Sequence, residues 1–427
     1  MEIEDFGTPV VLLANRGFVD DAHSAASSKA MPTLRVLGEP IACESTVAED
    51  IKSGIDKVFD DIVAALTRPL TEEEKFPQLK IENAPRIVFK GNLTEVNQFF
   101  YRQGWGDGLP VIPPSEEAVA EMMKGTDLPA DHVVAKIIPR MGKATVEKIA
   151  VNAVMAGALP IHMPVLIAAV EAVSDPKTRF DSFEVSTGSW APFLVVNGPI
   201  RKDIHINSGS GVLSPGNLSN SVIGRALGLI VKNIGGARKG VEDMGTLGNP
   251  GKYSLVLAEN EEDSPWEPLH VERGFNKEDS TVTMFFPNQH VYSIPRGTDA
   301  KGILDSIASS KPGIMNALMI IPTHADILAS EGWTKSKVRE YLMKPGEAGS
   351  AKSLPKGDNA AAAAPNTPRD ALMIVVAGGA GTWYGVFKSA GGGILGNDFV
   401  SKKIQMPKNW KELAAKYKNL IPTYVKY

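Results

Sequence analysis

Residues 8–67 spell out a β-α-β-α pattern with too few strands to stand alone. PVVLLA (8–13) reads as a short buried strand and Gly17–Ser28 as an amphipathic segment. Thr33–Leu37 reads as a second strand. Ser45 and Thr46 then precede VAEDIKSGIDKVFDDIVAALT, where Ile51, Ile55, Val58, Phe59, Ile62 and Leu66 fall at helical spacing. Two parallel strands and two helices cannot bury a parallel sheet on both faces. Either the C-terminal segment or another polypeptide must complete it.

The chain has 427 residues, enough for two or three domains with separate cores. The fold class expected is α/β, a Rossmann-like half-domain (1–85) followed by a larger mixed α/β domain (86–345). Gly346–Thr367 is low in complexity and reads as a flexible linker, and 368–427 as a strand, glycine-rich turns and a closing helix. With 43% hydrophobic and 22% charged residues, the composition is that of a soluble globular protein. A net charge of −4 gives no general pull towards nucleic acid or anionic membrane. The longest apolar runs, Ala150–Leu159 and Val165–Val173, fall short of the roughly 18 residues that span a bilayer. The opening MEIEDFG does not read as a signal or transit peptide. A single cysteine, Cys43, allows no intrachain disulfide, and a reducing, cytoplasmic setting is the expectation.

The stretch Asn197–Asn260 is the expected ligand-binding centre. An apolar run, Phe193–Val196, leads into the polar loop Asn207–Gly216. A helix follows over about Leu218–Ile234, then a second glycine-rich loop, Gly235–Gly251, and a third apolar run ending in Glu259 and Asn260. Gly/Ser/Asn loops opening onto a helix offer free backbone N–H groups and the positive end of a dipole, which suit an anionic group. No Walker A or dinucleotide fingerprint is present, so these residues name no cofactor.

Around this centre, Asn207, Ser208, Gly209, Ser210 and Gly211 are the expected substrate-binding residues, with Arg273 and Trp105. His205, at the loop mouth, and His270, beside Glu272 and Arg273, carry the side chain whose ordinary pKa lies nearest neutrality. Asp107 sits in GWGDGLP on a turn stiffened by Pro110, Pro113 and Pro114; turn chemistry alone also accounts for it. Arg201, Arg225, Arg238 and Arg273 can each bind a carboxylate or phosphate bidentately. GGAGTWYG (378–385) has the look of a second phosphate cradle. No HxH or HExxH spacing supports a metal site. Cys43 precedes a helix, whose dipole favours the thiolate, but Glu39, Glu44 and Glu49 oppose that, and an inert loop cysteine is the plainer reading.

Several of these runs carry a resemblance. GTPVVLLANRGFVDDA, MPTLRVL and FDDIVAALT are similar to the second half of the domain in proteins named for a UGSC motif (selenocysteine or Cys, then Gly-Ser-Cys). GWGDGLPVIPP, RMGKATVEKIAVNAVMAGALP, HINSGSG, GKYSLVLAENEEDSPWEPLHVERGF and IVVAGGAG resemble the long C-terminal region of some members. The motif itself is absent, and Cys43 does not align with it. Two explanations follow: a small partner supplies the missing strands and a Cys-Gly-Ser-Cys turn in a hetero-oligomer, or this chain has lost that chemistry; the incomplete two-strand sheet argues for the first. This chain would be the large subunit of a cytoplasmic enzyme acting on a small polar or anionic metabolite. Thiol-dependent redox or group-transfer chemistry is implied, with His270, Glu272, Asp107 and His205 as catalytic candidates. Two other readings stay open: a metal-dependent hydrolase or lyase using His205 and His270 with nearby carboxylates, and a non-catalytic scaffold subunit.

Overall fold

The computed structural model describes residues 8–42, 45–75, 85–309, 315–343, 372–389 and 399–420. Cys43 and the expected linker lie outside the described residues. Strands β1 (Leu12–Asn15) and β2 (Val36–Glu39) pair in parallel, Leu12 beside Val36 and Asn15 beside Glu39. Helix α1 (Val19–Ser28) connects them. Among the described residues no third strand joins this sheet. The long helix expected after it forms as two, α2 (Ala48–Asp56) and α3 (Phe59–Thr67), broken at Lys57 and Val58.

Helix α4 (Leu93–Arg102) starts at a capping box in which Asn92 accepts from the Glu95 amide and the Glu95 side chain accepts in return from the Asn92 amide. The run Arg86–Phe89 (RIVF) reads in the sequence as a strand, but no strand forms there. Phe89 instead stacks on Phe99 with ring centroids 4.6 Å apart, so the segment is fixed by an aromatic contact rather than a ladder. Ser115 caps α5 (Glu116–Met122) as its sequence context requires. A hairpin of β3 (Val133–Ile137) and β4 (Gly142–Thr145) feeds α6 (Val146–Ala156), which ends at Gly157 in the left-handed region, φ 84°. In α7 (Met163–Val173) every residue except Glu171 is buried, so this helix runs through the core.

The rest is organised by two four-stranded sheets. β5 (Phe193–Asn197), β6 (Val256–Ala258), β7 (Thr281–Phe285) and β12 (Val400–Lys403) form the first, in the order β12-β7-β5-β6. β8 (Gln289–Ser293), β9 (Met315–Ile320), β10 (Met373–Val376) and β11 (Tyr384–Lys388) form the second, in the order β10-β9-β11-β8. Each sheet is mixed, with one parallel pair, β5/β6 or β10/β9.

Side-chain alternation then sets the layers. Leu194, Val196, Val282 and Met284 face the helices α6, α7 and α8 (Leu218–Ile230). Phe193, Val195, Leu257 and Phe285 face the opposite way and pack on Ala317, Met319, Val375 and Phe387 of the second sheet. The rings of Phe193 and Phe387 are 4.5 Å apart. The far face of the second sheet, Leu318, Ile320, Ile374 and Val386, is covered by α10 (Ala300–Ser309), α11 (Pro322–Ser330) and α12 (Lys335–Met343). The result is a helix–sheet–sheet–helix sandwich of mixed α/β class.

The C-terminal segment is part of this sandwich, not a separate piece. β10 and β11 flank β9, and β12 pairs with β7, so the boundary expected at 346–367 does not divide the packing. The described tail strands are therefore committed elsewhere and do not complete the β1/β2 sheet. No described helix is long and apolar enough to cross a membrane.

Candidate functional site

The carboxyl ends of the two parallel pairs meet, and backbone bonds stitch them together. The Ala258 amide donates to Asn207 O at 3.2 Å, the Asn260 amide to Val376 O at 2.8 Å, and the Gly378 amide to Ser208 O at 2.8 Å. The two glycine-rich loops picked out in the sequence thus become neighbours. A Cβ on Gly379 would stand 2.6 Å from Ser210 Cβ, so only glycine permits this approach. Asn220, in the first turn of α8, pins the first loop: its Oδ1 accepts from the Asn207 amide at 2.8 Å and its Nδ2 donates to Asn207 O and Val256 O. Asn207 braces the tip by accepting from the Gly209 amide and donating to Ser210 O. Ser210 and Gly211 lie at an exposed tip, and their amides have no partner among the described residues. That leaves a small cradle of donors at a place where α/β folds bind ligands.

Behind the cradle lies a buried network of charges. Glu259, fully buried, accepts from Asn197 Nδ2 at 2.6 Å and from the Leu269 amide at 2.6 Å, with Lys335 Nζ 3.4 Å away. Helix α9 (Leu269–Glu272) carries His270 and Glu272 into this network. Glu272 is bound by Arg339, with Lys335 Nζ at 3.6 Å. His270 is fully buried and its Nε2 lies 3.3 Å from Lys277 O; a carbonyl only accepts, so Nε2 carries a proton. Its Nδ1 has no hydrogen-bond partner among the described residues and lies 3.8 Å from Glu261 Oε1. Arg201 donates to Glu259 O at 2.8 Å and to Glu262 at 3.0 and 3.1 Å. Burial works to raise the Glu262 carboxyl, but hydrogen bonds from Arg201 and Lys202 outweigh it and hold it at about 2. Acids and bases are closely matched here, as buried charges must be.

His205 stands elsewhere, in the left-handed region at φ 54°, where it lines a cavity of about 20 Å³ with His162 and Ser219. That space holds roughly one water. His162 and Ser219 look like a nucleophile and its base, yet the geometry assigns the opposite roles. The Leu159 amide donates to His162 Nδ1 at 3.0 Å, so the ring proton is on Nε2, which donates to Ser219 Oγ at 2.9 Å. The Ser219 hydroxyl in turn donates to Ile204 O. Burial holds the His162 imidazole down to about 3, so it stays neutral. It offers Ser219 a proton and cannot take one.

The remaining candidates are spent on packing. Arg225 takes both oxygens of Asp107, at 2.7 and 3.0 Å. Burial would raise the Asp107 carboxyl, but the hydrogen bonds and charge of Arg225 hold it below its ordinary value. Trp105 sits edge-on to Phe99 and Phe100, at 5.7 and 5.5 Å, and is a packing residue. Arg273 donates to Ser401 Oγ at 2.6 Å and to Phe399 O. The structure therefore brings Asn207–Gly211 to one place with 378–379 and puts His270 and Glu272 in the wall behind. It ties Asp107 and Arg273 to other partners. Among the described residues no three His, Cys, Asp or Glu side chains are arranged to hold a metal ion, and the metal-dependent reading gains no support.

Sequence reasoning missed Asn197, Lys335 and Arg339. Asn197 and Glu259 each close an apolar run, FLVVN and VLAE, and a polar residue ending a buried strand was a usable signal. Lys335 and Arg339 gave none, since an (i, i+4) basic pair on a short helix reads as a solvated face. Comparison with family models, characterised proteins and solved structures finds no match for this chain.

Proposed function

We propose that this chain is the large subunit of a cytoplasmic enzyme acting on a small polar or anionic metabolite. The observation that carries the reading is the meeting of two glycine-rich loops at the carboxyl ends of parallel strands, with free amides at the tip and a neutralised charge network behind. Such a wall fixes the cradle rigidly, and rigid donors recognise an anionic group with little ordering cost. Glu272, through Lys335 and Arg339, and His270, beside Glu261, then act as positioning residues for the cradle.

The missing thiol is assigned to a partner polypeptide. Support comes from the two-stranded parallel sheet, read as half of a Rossmann-like unit, whose open strands are free to continue into a second chain. The reaction class, thiol-dependent redox or group transfer, rests on the resemblance to the UGSC-motif proteins. Tagged chain purified from its source cells should bring down a small polypeptide with a Cys-Gly-Ser-Cys turn, identified by mass. In the reconstituted complex, Gly379→Ala should lower kcat/KM by about tenfold or more, the effect of roughly 1–3 kcal/mol of overpacking. Recovery of the chain alone sinks the subunit reading, and full activity in Gly379→Ala sinks the placement of the site.

A further inference from the structure

A second cavity, of about 340 Å³, opens between α1 and the loops that follow β3 and α8. From α1 it is lined by Asp20, His23, Ser24 and Ser27, whose spacing of three and four puts them on one helical face. Opposite stand Arg140, at the turn of the β3/β4 hairpin, and Arg238, from the second glycine-rich loop. The local sequence explains how these are held. The Arg140 amide donates to Gly235 O at 2.9 Å, and Gly236, at φ 81°, leaves room for the arginine stem, because a Cβ there would lie 2.6 Å from Arg140 Cδ. Arg238 is matched by Glu242, Nε to Oε2 at 2.9 Å, and Ser24 Oγ donates to the same carboxylate at 2.6 Å. Glu242 thus cancels the charge of Arg238 and clamps α1 to the loop.

Arg140 is different. Its guanidinium has no hydrogen bond or ion pair among the described residues, and the same holds for the His23 ring and the Ser27 hydroxyl. Three donors without a protein partner, one of them a guanidinium, line on its exposed side a space large enough for a small metabolite. Among the described residues Asp20 is the one carboxylate lining the cavity, and it repels a second negative charge at its own end. We propose that this cavity is a second ligand site, for a small molecule carrying a carboxylate or phosphate group that Arg140 binds bidentately. It is independent of the strand-end cradle and of the subunit reading.

Isothermal titration of the full-length chain at low ionic strength tests it, with orthophosphate and succinate as separate probes that tell the two oxyanions apart. Saturable one-site binding of either probe is expected, weakened about tenfold or more in R140A, the loss that follows removal of a charge-assisted bidentate contact. D20N should tighten the same probe, since it removes the repelling charge, an effect that a structural role for the cavity would not produce. R140Q repeats the measurement in a less truncated side chain, with thermal melts confirming that both variants fold. Absence of saturable binding by both probes, or undiminished binding in R140A and R140Q, overturns the proposal.

Discussion

β1 and β5 are both short apolar strands, each paired in parallel with one neighbour, and their surroundings are opposite. Every residue of β5 is buried, and its two faces meet the helices of the first layer and the second sheet. In β1, Leu12 and Leu13 remain 39% and 38% exposed, and among the described residues β2 is the only strand paired with it. Parallel pairing alone therefore stabilises little. What stabilises a parallel strand is cover on both faces, and β5 has it from within the chain while β1 does not. The difference divides the molecule into a part that is thermodynamically complete and a part that carries unsatisfied apolar surface.

The largest effect should come from the core side of that comparison. Phe193→Ala removes a ring packed between Phe285 and Phe387, at 5.2 and 4.5 Å, and should cost about 3–5 kcal/mol. Leu12→Ala should cost less than about 1 kcal/mol in the isolated chain, as partly exposed sites do. Urea denaturation followed by far-ultraviolet circular dichroism checks both, and similar losses would erase the contrast.

Titration should sharpen it next, because the two regions respond to pH with opposite sign. His162, in the core, has its folded pKa depressed by burial from 6.5 to about 3. The unfolded chain then binds the extra proton, so this stability is present above about 6.5 and is lost as pH falls towards 3, on the order of a few kcal/mol in all. Asp21, on α1, has its carboxyl raised from 3.8 to about 6 by burial and by Glu242. The folded state binds that proton more tightly, so the contribution of Asp21 is favourable at low pH and is lost as pH rises through 6. Protection factors of the α1 amides, corrected for the intrinsic slowing of exchange in acid, should therefore rise on acidification to pH 5 while global stability declines. His162→Gln should flatten the acid limb of the global curve, and Asp21→Asn should remove the local trend. An unchanged acid limb in His162→Gln would contradict the buried, neutral state assigned to that ring.

Much of this division was legible in the sequence, and the illegible parts have physical reasons. The β-α-β-α opening and the Asn92 and Ser115 caps are local signals, and local signals survived. The single helix expected over 47–67 failed because Lys57 and Val58 are ordinary helix residues whose break is set by packing. The strand expected at 86–89 failed because the partner of Phe89 is a ring ten residues on, which no β-propensity records. The double sheet was hidden for another reason: β8 is exposed along most of its length, and β9 finds its parallel partner more than fifty residues later. In the site, glycine loops and strand-end polar residues were readable as types. Their meeting across two sheets was not, because it depends on that long-range pairing. The buried Lys335 and Arg339 became intelligible only once Glu259 and Glu272 stood beside them.

The smallest effect on the free chain is the most discriminating. Leu13→Lys places a charge on a leucine that water already reaches, so the stability of the isolated protein should shift by no more than about 0.5 kcal/mol. The same charge lies on the surface that the proposed partner would cover, where an unpaired lysine is costly to bury. Recovery of the partner with the tagged chain should therefore fall several-fold while the melting curve hardly moves. Hydrogen exchange sharpens the contrast without a mutation. Amides of β1 and β2 should exchange far faster than those of β5 in the free chain and should slow by about tenfold or more in the complex, because a new strand gives the open edge its missing bonds. Free-chain protection in β1 equal to that in β5 would mean that the pair is closed already, and the need for a second polypeptide would disappear with it.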